Sequence, residues 1–466
     1  MANKNILTSA SKVSQIDLLY YAPVAVVPPA ITIPIHSYYC FLAKPTPWAD
    51  NNNPVTPTGD LKSMKQIQKN IFVAKQIKTS DISPVIQRID WTSGTVYDYY
   101  RDDVDMFARS NSTGLLVKNF YVKNRYDQVF KCLANNNGGS SNTEPFFQPG
   151  TYNTNQVFTS GPDGYKWKYI YTIDIGTKTK FMDQTWMPVP VGTQTPNAST
   201  TAGSGSIDAI ILTNGGTKYE TSNTTITITG DGSGATANLT ISGEVITDVN
   251  IFNPGSNYTS ATVSITSANT QASNATAYAP VSPVGGHGYD PVSELGCNHI
   301  MYTVEFNSAE TLNGVEYIPT DIDYRQVGLL INPMSSDTYP AFANGSIYDL
   351  STQITVASGF GVYVPDETVT QTDINAASAT FGQVIFTGTV LSFNTSTNVI
   401  KLINTSGTIT TSASIQGQTS GTTRTLLAST SPKFMKFSGY ISYIQNRSAV
   451  QRSADGIEQF KFVLGY

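Results

Sequence analysis

The chain has 466 residues, 13% of them charged and 11% aromatic, with a formal net charge of −5 and a pI near 5.3. That length allows roughly three domains at ~150 residues each; the aromatic content speaks against disorder, and mild acidity without any Lys/Arg run speaks against nucleic acid as a partner. No apolar stretch approaches the ~20 residues of a membrane-spanning helix, and "MANKNILTSASKVSQIDLLYY" lacks the apolar core of a signal peptide, so the expectation is a soluble protein made in a cytoplasm, with no membrane partner.

The charged share is about half the usual ~25%, and Thr, Ser, Asn and Gly supply the polarity instead. β-branched and aromatic residues suit a pleated surface, and Gly and Asn suit turns, so the fold class expected is mainly β, a β-sandwich core with one or two helices on loops. "SKVSQIDLLYY" (11–21) reads as a short opening helix. "YYAPVAVVPPAITIPI" contains four prolines and cannot be a spanning helix. "HSYYCFLA" (36–43) reads as a buried strand and the Pro/Asn-rich residues after it as a loop. "GDLKSMKQIQKNIFVAKQIKT" (59–79) reads as the one clear helix: Leu61, Met64, Ile67 and Ile71 recur at helical spacing, with Asp60 placed to cap its start. "PVIQRIDWTSGTVYDYY" is a strand running into an aromatic turn, and "QVFKCLANNNGGSSNTEP" a strand running into a polar loop. In "GPDGYKWKYIYTIDI", Tyr165, Trp167, Tyr169 and Tyr171 face one way and Lys166, Lys168 and Ile170 the other.

The texture then changes. Residues 192–283 are rich in Thr, Ser, Gly and Asn and hold an internal repeat with an offset of 39. Ile207 matches Ile246, Asn214 matches Asn253, Gly216 matches Gly255, Tyr219 matches Tyr258 and Ile226 matches Ile265; after a one-residue slip, "ATA" at Ala235 matches "ATA" at Ala275. Each unit reads strand, N-x-G-x-x-Y turn, strand, Gly- or Ser-rich turn, strand. Residues 284–359 regain the first texture, 360–431 lose it again with short alternating strands that suggest a small sandwich or barrel, and 432–466 close the chain with a hairpin-like pair of strands. The organisation expected is therefore a core built from 1–191, 284–359 and 432–466, interrupted by two inserted all-β modules. The closing strands would complete a sheet begun much earlier.

Three cysteines, Cys40, Cys132 and Cys297, are too few and odd in number for a disulfide framework and read as buried thiols. No G-x-S-x-G, P-loop, H-E-x-x-H or C-x-x-C pattern occurs. His287, Cys297 and His299 are metal-ligating types near one another in "GGHGYDPVSELGCNH", but a fourth ligand is missing and the spacing fits no standard zinc site. Asp102, Asp103 and Asp105 offer oxygen ligands without the glycine turn of a calcium loop, so solvated loop carboxylates are the expectation; a glycosidase acid pair is the alternative, and its carboxylate separation is not readable from sequence. "GDGSGATA" (230–237) has the glycines of a phosphate loop but no helix after it, so a β-turn is expected. The Tyr/Trp stripe at 165–171 could stack on sugars or form a buried sheet face. No catalytic, cofactor or metal residue is assigned, and no binding residue is chosen.

The segments "YYCFLAKPTPWADNNNPVTP", "VIQRIDWTSGTVYD", "VFKCLANNNGGSSNTEP", "GPDGYKWKYIYTI", "PVGGHGYDPVSELG", "DYRQVGLLINP" and "SGYISYIQNRSAVQRSADGIEQFKFVL" follow one another in an order and style that resembles the baseplate wedge subunit of T-even-like contractile-tailed phages, most of all the cyanophage versions. The resemblance covers roughly 1–191, 284–358 and 432–466, with a helix at 60–78 between the first two segments. It implies a β-sandwich core, a homodimer in each wedge, contacts with other wedge proteins, residence in the virion tail and no enzymatic activity. Ser448 and Ala449 stand where "RPPV"-like residues are common in the family, and "SADGIE" where a "DQTE"-like turn is expected. The two inserts lie outside the minimal family pattern and are similar to accessory β-modules of phage structural proteins.

Three functions follow in order. The first is a structural baseplate component that dimerises and contacts other wedge proteins. The second is a tail-associated adhesin or fibre-anchoring module acting through the inserts, with Tyr219 and Tyr258 as candidate stacking residues. The third is a polysaccharide depolymerase resting on Asp102, Asp103 and Asp105.

Overall fold

The structure is a computed structural model that describes residues 25–27, 31–33, 37–149, 157–159, 161–192, 205–307, 311–312, 315–316, 318–335, 342–435 and 437–465. The helix expected at 11–21 lies outside them. Among the described residues the protein is mainly β, 47% strand and 8% helix, with three α-helices, several sheets and a small barrel. The chain divides into two compact units, one built on Ser83–Met301 with the closing residues from Phe462, the other on the described residues from Ala25 to Ile82 with Tyr302–Lys461. The segments flanking the inserts are thus shared between two units.

In the second unit, a five-stranded sheet has the order Ile347–Asp349, Ile71–Ile77, Tyr38–Ala43, Asp323–Ile331, Tyr440–Gln451. Tyr38–Ala43 is central and all six of its side chains are buried, which is why it reads as unbroken "YYCFLA". Antiparallel partners are Cys40 with Lys75 on one side and Leu329 with Cys40 on the other. The helix Leu61–Asn70 covers this sheet through Ile67, which packs with Tyr39, Phe41, Leu330 and Phe434. Asp60 caps it, accepting from Ser63 N at 2.9 Å.

This helix is shorter than the expected 60–78. Ile71–Ile77 is a strand instead, although Ile71 continues the helical spacing. "IFVAKQI" carries β-branched and aromatic side chains that fit a sheet, and the Asn70 carbonyl is taken by Lys44 N at 3.0 Å rather than by a further helical turn.

The closing segment also differs from expectation. Tyr440–Gln451 and Ile457–Gly465 do not pair as a hairpin: the first joins Asp323–Ile331 and the second joins His299–Asn307. The fully buried Arg452 guanidinium stands at the break, donating to Glu458 Oε1 at 3.1 Å, Pro319 O at 2.9 Å and Asn307 O at 3.3 Å. Its backbone is tied to Ile322 and Asp321, so the strand is held against residues far back in the chain rather than against its own continuation.

A closed six-stranded barrel follows the order Thr352–Val356, Val399–Gly407, Val384–Asn394, Thr368–Thr372, Ser414–Gly417, Thr423–Thr430. Ile354, Val356, Val369, Val390, Leu402 and Leu426 are among its buried residues. The module therefore begins before the expected boundary at 360. "TQITV" already alternates, and its strand is paired on both edges to close the barrel, so the change in texture lags the change in structure. Lys44 fastens the turn at Asp366 to Asp323, with Nζ–Oδ1 distances of 2.9 and 2.8 Å.

The first unit holds a four-stranded sheet in the order Tyr121–Lys123, Gln128–Asn135, Tyr165–Thr172, Val157–Thr159. Tyr97, Phe130, Tyr165, Trp167 and Tyr169 form one core cluster on it. The lysine face of Tyr165–Thr172 is buried as well. Residues 207–282 cover it: Lys166 Nζ lies 2.8 Å from Asp248 Oδ1 and 2.6 Å from Val249 O.

Candidate functional site

Ionisable side chains converge where the strand Gln128–Asn135 meets residues 284–297 of the same unit. Lys131 points away from the aromatic core and is fully buried. Glu294 ends the short helix Pro291–Glu294, which Asp290 caps and Pro291 starts. His287 sits in the glycine-rich bend before that helix. Lys131 Nζ lies 3.0 Å from Glu294 Oε1 and 3.3 Å from His287 Nδ1, and His287 Nδ1 lies 2.6 Å from Glu294 Oε1. A carboxylate only accepts, so the shorter contact to Glu294 requires the His287 proton on Nδ1; Nδ1 then accepts nothing from Lys131, whose ammonium donates to Glu294. The second carboxylate oxygen accepts from Gly288 N. Lys131 Nζ also lies 3.7 Å from the centre of the Tyr100 ring, whose edge-to-face neighbour is His287 at 5.0 Å. Tyr100 donates its hydroxyl to Val281 O at 3.0 Å.

Burial governs the electrostatics. It lowers the Lys131 pKa although Glu294 pulls the other way. It lowers that of His287 too, and the Lys131 charge adds to the effect, so the imidazole is neutral. Burial alone would raise Glu294, but Lys131, His287 and Gly288 N–H outweigh it and hold the carboxyl at about 2. The cluster thus contains one cation and one anion in contact, bracketed by a neutral imidazole and a phenol ring. Above it opens a pocket of about 610 Å³ lined by Tyr100, Asp102, Met106, Phe107, Tyr289 and Asp290, with Lys131 and Glu294 in its wall.

The residues singled out from sequence fall elsewhere or in other company. His287 does not meet Cys297 and His299 in a metal site: Cys297 donates its thiol to Val85 O at 3.2 Å, and the His299 ring lies 4.3 Å from that of Trp186. Among the described residues no three His, Cys, Asp or Glu side chains come together to hold a metal. Asp103 pairs with Arg101 at 2.7 Å, and Asp105 accepts from Phe107 N at 2.9 Å. Asp102 accepts from Tyr278 Oη and from Val281 N, the latter at 2.9 Å, and so clasps the end of the repeat module. Asp231 of "GDGSGATA" caps a turn, accepting from Thr259 N at 2.8 Å and Ser260 N at 3.1 Å. All three cysteines are free and buried. Lys131, Glu294 and Tyr100 were not singled out from the sequence. A lysine flanked by Phe130 and Cys132 in an apolar strand was the available signal.

Tyr219 and Tyr258 are both buried in the core of the repeat module. Their environments match. Tyr219 Oη accepts from Ala275 N and Tyr258 Oη from Ala235 N, each at 3.3 Å. Asn214 Oδ1 accepts from Gly216 N at 2.9 Å and Asn253 Oδ1 from Gly255 N at 3.0 Å. The strand pairing is exchanged between the repeats: Ile211–Thr217 pairs with Ser273–Tyr278, and Ser233–Ser242 with Val245–Ser256. Ile226 pairs directly with its own repeat mate Ile265, as a pseudo-twofold axis between them requires.

No protein-family model and no curated protein matches the chain.

Proposed function

We propose that the protein is a structural subunit of a contractile-tail baseplate wedge. It dimerises, contacts other wedge proteins and is carried in the virion after assembly in the host cytoplasm. The order of the seven core segments motivates this reading, and one observation carries it physically. Although Lys131 and Glu294 border a pocket, among the described residues the Lys131–His287–Glu294 cluster has its polar groups paired with one another. It braces the sheet strand, the short helix and the bend to one another, and Asp102 and Tyr100 fasten the end of the repeat module beside it. Such internal pairing suits a part that transmits load better than one that turns over a substrate. The rings of Tyr219 and Tyr258 lie inside their module, which removes the stacking surface on which the adhesin reading drew.

The test is immunogold microscopy of the virions that carry this chain, with antibodies against residues 205–282, combined with light scattering on the purified protein. Gold at the tail tip and a dimer across dilution are expected. Gold on the head or on fibres, or a monomer at every concentration, would overturn the reading.

A further inference from the structure

The second unit contains a cleft of about 750 Å³, within the ~300–1,000 Å³ range of ligand sites. Its lining mixes apolar side chains, among them Ile71, Leu330, Phe386, Ile403, Phe434 and Phe437, with amide and hydroxyl groups, among them Gln68, Asn404, Thr405, Thr408 and Ser429. Asn404 is itself oriented by Gln66, whose Nε2 donates to its Oδ1 at 3.0 Å. Met435 and Phe437 are 42% and 38% exposed, adjacent large apolar side chains at the cleft mouth.

Within Leu61–Asn70, the helix flanking the cleft, every charged side chain is cationic, and the carboxylate before it, Asp60, is engaged as the N-cap. Among its described lining residues the single charged side chain is Lys69. Lys62 and Lys65 stand exposed on the same helix, which has no acidic residue in its first turn, and Lys65 Nζ lies 5.8 Å from the Phe437 ring centre. Lys433 is exposed just ahead of Phe434 and Met435. The ion pairs seen among the described residues include none of these four lysines, whereas Lys44 and Lys401, also in this unit, are both paired. A cluster of unpaired cations around an apolar cleft, in a chain of net charge −5, is a complement waiting for an anionic, partly apolar partner.

We infer that this cleft is a docking site for a short acidic amphipathic segment of another protein. Its apolar side chains enter against Phe434, Met435 and Phe437, its backbone amides meet Asn404, Thr405 and Thr408, and its carboxylates face Lys62, Lys65, Lys69 and Lys433. The amide and hydroxyl groups in the lining favour a peptide over an acyl chain, which has no groups to satisfy them. The site stands on this unit alone and holds whether or not the chain belongs to a baseplate.

The test uses the full chain and two fluorescein-labelled peptides with the same apolar pattern, one carrying Glu and the other Lys at every polar position, titrated by anisotropy. The Glu peptide is expected to bind saturably and the Lys peptide not to bind. The triple variant K62E/K65E/K69E should weaken the Glu peptide by about tenfold or more, with loss of salt dependence. F437S should weaken it several-fold while leaving thermal unfolding unchanged. Equal binding of both peptides, binding of neither, or affinity unmoved by both variants would overturn the proposal. So would displacement of the peptide by phosphatidylglycerol vesicles, which would make the site a lipid site. Self-association of the chain lost in the triple variant would give the cleft to a second copy and overturn it equally.

Discussion

The two modules of Thr, Ser and Gly texture solve the same packing problem differently. Residues 207–282 form three two-stranded ribbons, exchanged between repeats, and many of their apolar side chains, including Leu212, Ile226, Ile228, Ile251 and Val263, stay half-buried. Thr352–Thr430 closes into a barrel whose inward apolar side chains are sealed, with Ile354, Val390, Ile400, Leu402 and Leu426 fully buried, while Phe360, Ile374, Phe381, Val384 and Leu427 stand exposed on the module's surface. Closure removes both sheet edges and gives every inward side chain a full set of neighbours. The ribbon module lacks that, and it leans on its host sheet instead, through Lys166 with Asp248 and through Asp102 with Val281. Low charge and alternation therefore specify strands in both modules, while closure decides how much each strand contributes.

The strongest way to probe this difference is to loosen the base on which the ribbon module stands. Lys131→Met leaves Glu294 buried without its cation, and a loss of about 3–5 kcal/mol is expected in the unfolding transition of the first unit. A Lys131→Met/Glu294→Leu double variant should recover part of it, as a double-mutant cycle by urea denaturation would show. An equal loss in the double variant would mean that packing, not charge, holds the junction. Next, Leu402→Ala in the barrel should cost ~2–5 kcal/mol, whereas the half-buried Ile228→Ala should cost about 1–2 kcal/mol. Equal costs would erase the contrast between a closed and an open core.

The repeat symmetry can be sharpened at its turns. Gly216 and Gly255 both have positive φ, and a Cβ at either would lie 2.5 Å from a backbone atom of the partner strand, Ser273 O or Ala235 N. Each Gly→Ala change should cost ~1–3 kcal/mol, and the two should agree. A silent change at one turn would break the equivalence.

Acid supplies a smaller, graded effect. His287 has a folded pKa below its usual ~6.5, so as pH falls through that value the unfolded chain takes up a proton that the folded chain refuses. Stability then declines until the folded pKa is reached. Glu294, held at about 2, adds stability that is present above the ordinary carboxylate range and lost as pH falls toward 2. The unfolding midpoint of the first unit should therefore drop between pH 7 and pH 5, by at most about 1.4 kcal/mol per pH unit from the one histidine. A flat midpoint in wild type would mean that His287 titrates alike in both states. The smallest effect expected is at Tyr219→Phe and Tyr258→Phe, where one backbone N–H in each case loses its acceptor at about 0.5–1.5 kcal/mol, measured by thermal unfolding.

Much of this architecture was legible in the sequence because it rests on short-range rules. Alternation marked Tyr165–Thr172 and the barrel strands, Asp60 marked the helix start, and the 39-residue offset marked pairs that the structure places in equivalent surroundings. The candidate site was legible in one residue out of three. His287 stood out, but in the company of Cys297 and His299, its neighbours in sequence rather than in space.

By itself, then, the sequence determined that the protein is mainly β, where most strands run, and that one module is a repeat, since side-chain period and turn chemistry act over a few residues. Tertiary structure alone decided that the helix stops at Asn70, because Ile71–Ile77 gains more by pairing with Tyr38–Ala43 than by another helical turn. It sent the two closing strands to different partners through the buried Arg452. It brought Lys131 to Glu294 across 163 positions. A buried charge is tolerable only beside its complement, and nothing local to either residue could say where in the chain that complement would be found.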